Sequence, residues 1–415
     1  MDVPYAVYLH IPFCRHRCAY CDFNTYAGQE DSLSSYVQAL CNEIQAVGAG
    51  VSLPVRVGSI FFGGGTPSLL TSAHFRDIFQ SLYRAFEILP DAEISMEANP
   101  GTVTLAALEQ LRALGMNRLS FGVQSANPNE LRLLERIHDY SDVVNAVLWA
   151  RRAGFDNLNL DLMYGLPEQT LADWQKTVNL VTGLDPQHFS AYALTLEHGT
   201  PFGRWASRGL MPTPDPDLAA EMAEWVRDFW AEQGYEHYEI SNWAKINDGF
   251  KMQNEKFDSS FRIYYSAFVC RHNLQYWRNL PYFGLGAGAH GYAGGVRYSN
   301  VLRIKTYIER VRAGGAAVRW PLTAAAVNQI PIHRETEMDE TMMTGLRLVQ
   351  EGVADAAFTA RFGVSLREMY GREIDELLGF GLVEWKTSGD SGVLRLTRRG
   401  WLLGNQVFMR FLRGY

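Results

Sequence analysis

Three cysteines near the start of the chain have the spacing of metal ligands. They are Cys14, Cys18 and Cys21, in a Cys-x3-Cys-x2-Cys pattern directly after an apolar run. Thiolates held this close together select zinc or an iron–sulfur cluster. Three ligands favour the cluster, because a structural zinc site normally closes with four, whereas a [4Fe–4S] cluster held by three cysteines keeps one iron open. A zinc site completed by His10 or His16, and three unrelated thiols, are the alternatives.

Other polar and glycine residues recur where predicted strands end. They are Gly64, Gly65, Thr66, Glu97, Gln124, Asp161 and Tyr192. Glycines in a turn let the backbone approach a ligand and offer it N–H groups. A carboxyl at a strand end is suited to bind a ribose hydroxyl. The structural alternatives are a tight turn and carboxylates at a sheet edge.

The predicted elements alternate along the first part of the chain. Strands are predicted over 5–13, 57–62, 93–98, 118–124, 157–163 and 188–196, and helices over 32–47, 72–86, 105–114, 143–153, 171–181 and 218–233. This alternation favours parallel strands with crossover helices, in a partial barrel or a doubly wound sheet. Because the polar residues fall at the carboxyl ends of strands, where parallel barrels build their sites, we predict an α/β fold with a partial (β/α)6 barrel.

Composition limits the class of protein. The 415 residues are 47% apolar and carry a net charge of −7, which fits a globular protein and disfavours nucleic-acid binding. Five cysteines, three of them clustered, indicate a reducing compartment. Asp2 and Pro4 stand where a signal peptide carries basic residues, and no apolar run reaches the roughly 18 residues of a membrane span. We therefore predict a cytoplasmic protein with no transmembrane segment; peripheral membrane contact is left open.

The cysteine pattern, with Tyr20 before its last member, resembles the signature of the radical S-adenosylmethionine (SAM) superfamily. The resemblance implies a [4Fe–4S] cluster on Cys14, Cys18 and Cys21, with SAM chelated at the open iron. It also implies the six-unit open barrel.

Further segments resemble one family within this superfamily, the oxygen-independent coproporphyrinogen III oxidase group. They are Gly-Gly-Gly-Thr-Pro at 63–67, the segment around Glu97, Phe-Gly-Val-Gln-Ser at 121–125, Arg136, and Asp-Leu-Met-Tyr-Gly-Leu-Pro at 161–167. The match implies a set of SAM-contacting positions, with the glycine turn binding the amino group. These positions are Tyr8, Gly64, Gly65, Thr66, Glu97, Gln124, Arg136, Asp161 and Ala193.

Two features resemble the heme chaperone HemW branch of that group. Phe23 stands where the true oxidase has a further cysteine, and residues 272–277 form a His-Asn-x-x-Tyr-Trp box. The resemblance implies heme contacts by His272, Asn273, Tyr276 and Trp277. An imidazole is a common axial ligand of heme iron, and aromatic side chains cover a flat macrocycle. Taken alone, a histidine beside aromatics is more often a hydrogen-bonded core residue.

Two features near the box bear on this interpretation. Residues 244–270 form an insertion with balanced charge, which we expect to be a surface excursion. In the alternative, its aromatic side chains pack over the heme region. His290, in a glycine-dense segment, is a weaker candidate for a second heme-side histidine. We hypothesise that His272 ligates the iron.

The sequence predicts three domains: a radical SAM core over 1–240, an extension with the insertion and the box over 241–330, and a smaller C-terminal α+β domain of winged-helix type over 331–415. In the last domain, helices are predicted over 335–349, 366–378 and 399–412, and strands over 381–385 and 393–397. Its eleven Arg and Lys residues against twelve Asp and Glu residues lack the positive charge that DNA binding needs. The resemblance implies the C-terminal domain of the porphyrin group.

The leading functional prediction is a heme chaperone without coproporphyrinogen oxidase activity, which carries a [4Fe–4S] cluster and SAM and transfers heme to an acceptor protein. An electron donor is a second expected partner. The alternative is an enzyme, a radical SAM coproporphyrinogen III dehydrogenase that oxidatively decarboxylates propionates. A zinc-stabilised barrel without radical chemistry is the third interpretation.

Overall fold

The computed structural model describes residues 3–51, 54–247, 266–314, 319–388 and 391–413. Its strands are β1 Tyr5–Ile11, β2 Phe13–Cys14, β3 Tyr26–Ala27, β4 Val55–Gly64, β5 Phe86–Ala98, β6 Arg118–Gln124, β7 Leu158–Tyr164, β8 His188–Ala193, β9 Tyr235–Glu239, β10 Asn242–Lys245, β11 Tyr282–Leu285, β12 His290–Ala293, β13 Val296–Asn300, β14 Ala326–Pro331, β15 Val353–Ala354, β16 Val383–Ser388 and β17 Ser391–Leu396. Its helices are α1 Leu33–Ala49, α2 Ser72–Ala85, α3 Leu105–Ala113, α4 Pro128–Leu133, α5 Tyr140–Arg152, α6 Leu171–Thr182, α7 Pro201–Ser207, α8 Pro216–Glu232, α9 Arg271–Trp277, α10 Ile304–Ala313, α11 Arg334–Gly345, α12 Asp355–Phe362, α13 Leu366–Gly379, α14 Arg398–Leu402 and α15 Gly404–Phe408.

The chain forms two compact units, and both are discontinuous in sequence. The first contains Met1–Val226 and Pro281–Pro331, and the second contains Arg227–Leu280 and Ile332–Tyr415. The division into three domains at 240 and 330 stays a prediction, because compact units are not the same as sequence domains. Among the described residues, no helix combines the length and the apolar composition needed to cross a membrane.

Six parallel strands form the centre of the first unit. They lie side by side in the order β1, β4, β5, β6, β7 and β8, which is also their order along the chain. A doubly wound sheet reverses its strand order at a switch point, whereas a barrel wall does not. The predicted α/β fold with six parallel strand–helix units is therefore confirmed.

The first unit continues beyond β1. Strand β11 pairs with β1 in parallel, and β12, β13 and β14 follow in antiparallel order. The sequence analysis did not predict these four strands, because their glycine-dense stretch lacks the alternating apolar pattern of a typical strand. This segment thus provides the neighbour of β1 on the side away from β4.

Three of the crossover helices begin at residues whose side chains cap them. The side chain of Thr71 caps α2, Asp139 caps α5 and Thr170 caps α6, each in a reciprocal capping box. The structure extends the predicted strand at 93–98 back to Phe86, directly after α2. It also carries α1 through Gly48, which was expected to end that helix.

Gly48 has a packing role instead. A Cβ atom built on it would lie 2.7 Å from the Cα atom of Ala85 at the end of α2. The missing side chain therefore lets α1 and α2 approach closely, although glycine in a helix interior costs about 1 kcal/mol relative to alanine.

The second unit contains the β9–β10 hairpin, helix α9 and a small antiparallel sheet in the order β15, β17, β16. The predicted helices near 335 and 366 and the hairpin around 390 are present. The predicted single helix over 399–412 is wrong. It is divided into α14, α15 and a 3-10 turn over Met409–Phe411, because Leu403 has non-helical backbone angles.

Candidate functional site

The cysteine loop extends from the carboxyl end of β1. Strand β2 ends at Cys14 and pairs with β3, so that Cys14 lies opposite Ala27 and closes the loop at its base. Within the loop, the Cys21 N–H donates to the Cys18 carbonyl at 3.1 Å. Cys14 is buried, whereas Cys18 and Cys21 are half-buried. All three are free thiols and line one cavity of about 380 Å³.

The thiols lie close to one another and to polar neighbours. Burial raises the pKa of Cys14 and of Cys21, and in both cases the Cys18 sulfur adds to the rise. The Thr66 hydroxyl lies 3.6 Å from Cys14 Sγ, and Arg136 Nη1 lies 3.7 Å from Cys18 Sγ. The Thr66 hydroxyl opposes the rise of the Cys14 pKa, and the Arg17 charge opposes that of Cys21. The thiolate is the form that binds metal.

The donor set fits the cluster that the sequence predicts. Among the described residues, no three His, Cys, Asp or Glu side chains are arranged as ligands of a single metal ion. A [4Fe–4S] cluster does not need this arrangement, because its thiolates bind separate irons. His10 and His16, the proposed zinc ligands, are engaged elsewhere: His10 bonds to Tyr8 and Asn24, and His16 lies 3.1 Å from Glu135.

The glycine turn after β4 packs directly under the cysteine loop. Gly64 has φ of +112°, and a Cβ atom there would lie 2.5 Å from the His10 ring. A Cβ atom on Gly65 would lie 2.6 Å from the Phe13 carbonyl oxygen and 3.0 Å from Cys14 Sγ. Only glycine fits these two positions without displacing the loop.

The turn does not offer its N–H groups to a ligand, contrary to the expectation from sequence. The Gly64 N–H donates to Glu97 at 2.9 Å, the Gly65 N–H to the Ile11 carbonyl at 2.8 Å, and the Thr66 N–H to the Phe13 carbonyl at 2.8 Å. A ligand amino group is a donor and needs acceptors. Backbone carbonyl oxygens are therefore the groups by which this turn would bind an amino group.

Three polar side chains from successive strands line the same cavity. Glu97, Gln124 and Asp161 lie on β5, β6 and β7. Burial raises the pKa of Glu97 to about 7, with the Gly64 N–H opposing the rise. Gln124 has φ of 66° at a register shift between β6 and β7, and such irregularities re-aim side chains next to functional sites.

Arg136 fixes the wall of the cavity next to Cys18. Its Nη2 donates to the Gly122 carbonyl at 2.7 Å, and the residue is half-buried. The Tyr20 hydroxyl lies next to it, and burial raises the pKa of that hydroxyl well above its usual range. Arg136 thus places a fixed positive charge between the cysteine loop and the end of β6.

The structure gathers most of the predicted SAM positions into this cavity, but not all of them. Gly64, Gly65, Thr66, Glu97, Gln124, Arg136 and Asp161 line it with the three cysteines. Tyr8 and Ala193 do not line it; the Tyr8 hydroxyl bonds to His10 at 3.0 Å, and Ala193 is exposed at the end of β8.

Phe23 and Ile137 also line the cavity and are 66% and 51% exposed. Ile137 was not predicted from the sequence. Its position directly after Arg136 was the one signal that indicated it.

The predicted heme box lies in the second unit, on α9 and the residues around it. His272 is 1% exposed, and its Nε2 lies 2.8 Å from the Tyr276 hydroxyl one helical turn away. Asn273 and Trp277 are half-buried, and the Arg347 guanidinium lies 5.1 Å from the Trp277 ring. An iron bound at His272 Nε2 would displace the Tyr276 hydroxyl.

Two other sequence predictions concern this region. Residues 248–265 of the expected excursion lie outside the described residues. His290 is exposed at the start of β12, in the first unit.

Known proteins are similar to this chain over almost its whole length. The model of the radical SAM superfamily matches residues 8–181, and that of the HemN C-terminal domain matches residues 332–403. The heme chaperone HemW of Bacillus subtilis (strain 168) is 36% identical over 408 residues, which cover 98% of this chain and 99% of the relative.

Other organisms carry similar proteins. The heme chaperone HemW of Escherichia coli (strain K12) is 37% identical over 289 residues, covering 69% of this chain and 70% of the relative. A mitochondrial protein of Bos taurus, radical S-adenosyl methionine domain-containing protein 1, is 32% identical and covers 82% of this chain and 73% of its own.

A solved structure shares the fold. The coproporphyrinogen III oxidase HemN from Escherichia coli, a radical SAM enzyme, superposes with a TM-score of 0.79, at 23% identity, over 98% of this chain and 90% of that chain.

Proposed function

This chain belongs to the heme chaperone HemW family of the radical SAM superfamily, and from that membership we propose that it binds heme and transfers it to an acceptor protein. The observation that carries the proposal is the similarity to the heme chaperone HemW over nearly the whole chain. The candidate iron ligand, His272, contacts Tyr276 on α9, with the two rings nearly perpendicular and their centres 5.0 Å apart. Imidazole nitrogen is a common axial ligand of heme iron.

The box residues have distinct roles in this proposal. His272 supplies the iron ligand, and the Tyr276 hydroxyl holds the imidazole in place until the iron arrives. Trp277 supplies apolar area for the macrocycle, with Arg347 stacked on its ring. Asn273, one residue after the ligand, supplies an amide for the polar edge of the heme.

The superfamily implies a [4Fe–4S] cluster and SAM, and we assign both to the cavity of the first unit. Cys14, Cys18 and Cys21 would hold the cluster, which when bound supplies one electron to SAM. Glu97 and Asp161 would bind hydroxyl groups of SAM, and the turn over 64–66 would bind its amino group. Arg136 would supply a fixed positive charge beside Cys18. Gln124 adds an amide; Tyr8 and Ala193 are kept as weaker contacts, since neither lines the cavity.

The partners and the location remain part of the proposal. We propose an acceptor protein for heme, an electron donor for the cluster, and a cytoplasmic location. Redox state and SAM occupancy are proposed to control heme release, and heme transfer that is unchanged without the cluster would contradict this control.

Hemin titration of the anaerobically reconstituted protein tests the heme assignment. His272→Ala is expected to lose the axial-ligand spectrum and to weaken hemin binding at least tenfold, as expected for loss of an iron ligand. His333→Ala, which replaces an exposed histidine of the same unit, is the matched control. A His272→Ala protein with the spectrum and affinity of the wild type would contradict the assignment.

The enzymatic alternative is tested on the same sample. A coproporphyrinogen III dehydrogenase would convert coproporphyrinogen III to protoporphyrinogen anaerobically with SAM and a reductant. We expect no turnover, because Phe23 occupies the position of the cysteine found in the oxidase and exposes an unreactive ring at the cavity. Turnover would reverse the order of the two functions.

A further inference from the structure

A buried polar cluster lies behind Asp161, on three neighbouring strands of the first unit. Its members are Ser120 on β6, Asn159 on β7, and His188 and Ser190 on β8, and each is at most 5% exposed. Strand register brings them together, because Ser120 and His188 are both opposite Asn159, and Ser190 is opposite Asp161. Such a cluster is costly to bury unless its hydrogen bonds are made.

Asn159 links the cluster to Asp161. Its Nδ2 lies 2.7 Å from Asp161 Oδ1, and the Ser120 hydroxyl lies 2.8 Å from Asp161 Oδ2. Each oxygen of the carboxyl group therefore accepts a bond from a buried side chain, the Ser190 hydroxyl is a third donor to the group, and the plane of the carboxyl is fixed.

The orientation of the Asn159 amide is fixed by His188. His188 Nδ1 lies 2.5 Å from Asn159 Oδ1. Burial, and then the charge of Arg118, hold the pKa of His188 well below its usual range, so the imidazole is neutral with one N–H. An amide oxygen only accepts, so this N–H must lie on Nδ1. The amide nitrogen of Asn159 is then directed toward Asp161.

We propose that Asn159, oriented by His188, is a positioning residue for Asp161 and thereby sets the affinity of the cavity for SAM. This inference depends on the proposed contact between Asp161 and SAM. Burial raises the pKa of Asp161, and the hydrogen bonds from Ser120, Ser190 and Asn159 oppose the rise. These bonds therefore hold Asp161 in one orientation and favour the carboxylate, the acceptor form that a ligand hydroxyl requires.

The test measures the SAM dissociation constant of the reconstituted protein by equilibrium dialysis. Asn159→Ala is expected to weaken binding about tenfold, the usual worth of a hydrogen bond to a charged group. Asn179→Ala, on the exposed face of α6, is the control with the same chemical change. Ser120→Ala removes another donor to Asp161 and serves as a milder variant should Asn159→Ala fail to fold.

A double-mutant cycle separates positioning from general damage. In an Asp161→Asn background, Asn159→Ala is expected to have almost no further effect on SAM binding. An equal loss in both backgrounds, or wild-type affinity in Asn159→Ala, would overturn the inference alone. Wild-type affinity in Asp161→Asn would overturn the proposed SAM contact and the inference together.

The pH profile gives a second readout. Loss of the Asn159 donor raises the pKa of Asp161, so binding by Asn159→Ala should fail at a higher pH than in the wild type as the solution is acidified. The ionisable groups facing Asp161 are Glu97 on β5, Arg118 on β6 and His188 on β8. If SAM binding by the wild type and by Asn159→Ala fell at the same pH, positioning by Asn159 would be contradicted.

Discussion

Glu239 is a buried acid near the heme box. It ends β9, is 0% exposed, and its Oε2 accepts a bond from the Ser241 N–H at 3.3 Å. Burial raises its pKa to about 8, and the Ser241 N–H, the Arg347 charge and the Trp277 indole oppose this rise. The box is thus packed against a carboxyl group that is neutral at pH 7.

This pKa predicts a pH dependence of stability. The folded state keeps a proton on Glu239 that the unfolded chain releases above its ordinary pKa, so the free energy of unfolding falls as pH rises from that value toward 8. The slope is at most about 1.4 kcal/mol per pH unit. Glu239→Gln should lose this component, so its apparent unfolding temperature, followed by calorimetry from pH 6 to 8.5, should fall less steeply.

Other acids contribute to the same window, so a matched variant is required. Glu97 and Glu351 also have pKa values raised to about 7. Glu232→Gln removes an exposed carboxyl at the end of α8 and should follow the wild type. Equal slopes for Glu239→Gln and the wild type would show that Glu239 is ionised in the fold.

At the level of residues, sequence spacing identified the chemistry but not the partners. The three cysteines follow one another within a short loop, so their proximity was predictable. The bond from Ser120 to Asp161 depends on the register between β6 and β7, and the bond from His188 to Asn159 depends on the register between β8 and β7. Periodicity gives no information on such contacts.

The turn after β4 is the element on which the cavity depends. Gly64→Ala is expected to prevent stable cluster reconstitution, because the added methyl group would lie 2.5 Å from the His10 ring and the residue has φ of +112°. The absorbance of the reconstituted cluster near ~400 nm is the measurement, since cysteine-held clusters are coloured.

Gly209→Ala is the matched control for backbone strain. Gly209 also has a left-handed φ, of +69°, but a Cβ atom there meets nothing within 4 Å. It should lose about 1 kcal/mol of stability and keep its cluster. Full cluster content in both variants would show that the cysteine loop tolerates displacement by the turn.

At the level of elements, a helix or strand was predictable where its own sequence carries a regular pattern of apolar residues. The crossover helices were found because the apolar residues recur there at helical spacing. The helix over 399–412 was wrongly predicted because Gly404, directly after the break at Leu403, was not interpreted as a helix boundary. Similarly, Gly48 looked like a helix end, but its role depends on contact with Ala85 in another helix.

In the first unit as a whole, one buried acid joins distant parts of the chain. Glu43 on α1 is 1% exposed and accepts bonds from the Gly286 N–H at 2.8 Å, Asn300 Nδ2 at 2.8 Å, the Tyr307 hydroxyl at 2.6 Å and the Thr323 hydroxyl at 2.8 Å. These donors all belong to the segment Pro281–Pro331. Glu43 therefore attaches that segment to the barrel.

Glu43→Leu should destabilise the first unit by several kcal/mol, because each buried donor left without an acceptor costs about 1–3 kcal/mol. Chemical denaturation followed by circular dichroism measures the loss. Glu109→Leu, at an exposed site on α3, should change stability by less than about 0.5 kcal/mol. A similar small change in Glu43→Leu would contradict the role assigned to Glu43.

The pairing of β1 with β11 affects the order in which the protein forms during synthesis. Tyr8 and Leu9 leave the ribosome early, but their partners Gly284 and Leu285 are translated much later. At typical rates of chain elongation the delay is on the order of tens of seconds. During that interval the edge of β1 that later pairs with β11 lacks its partner strand, and an exposed strand edge is prone to pair with another chain.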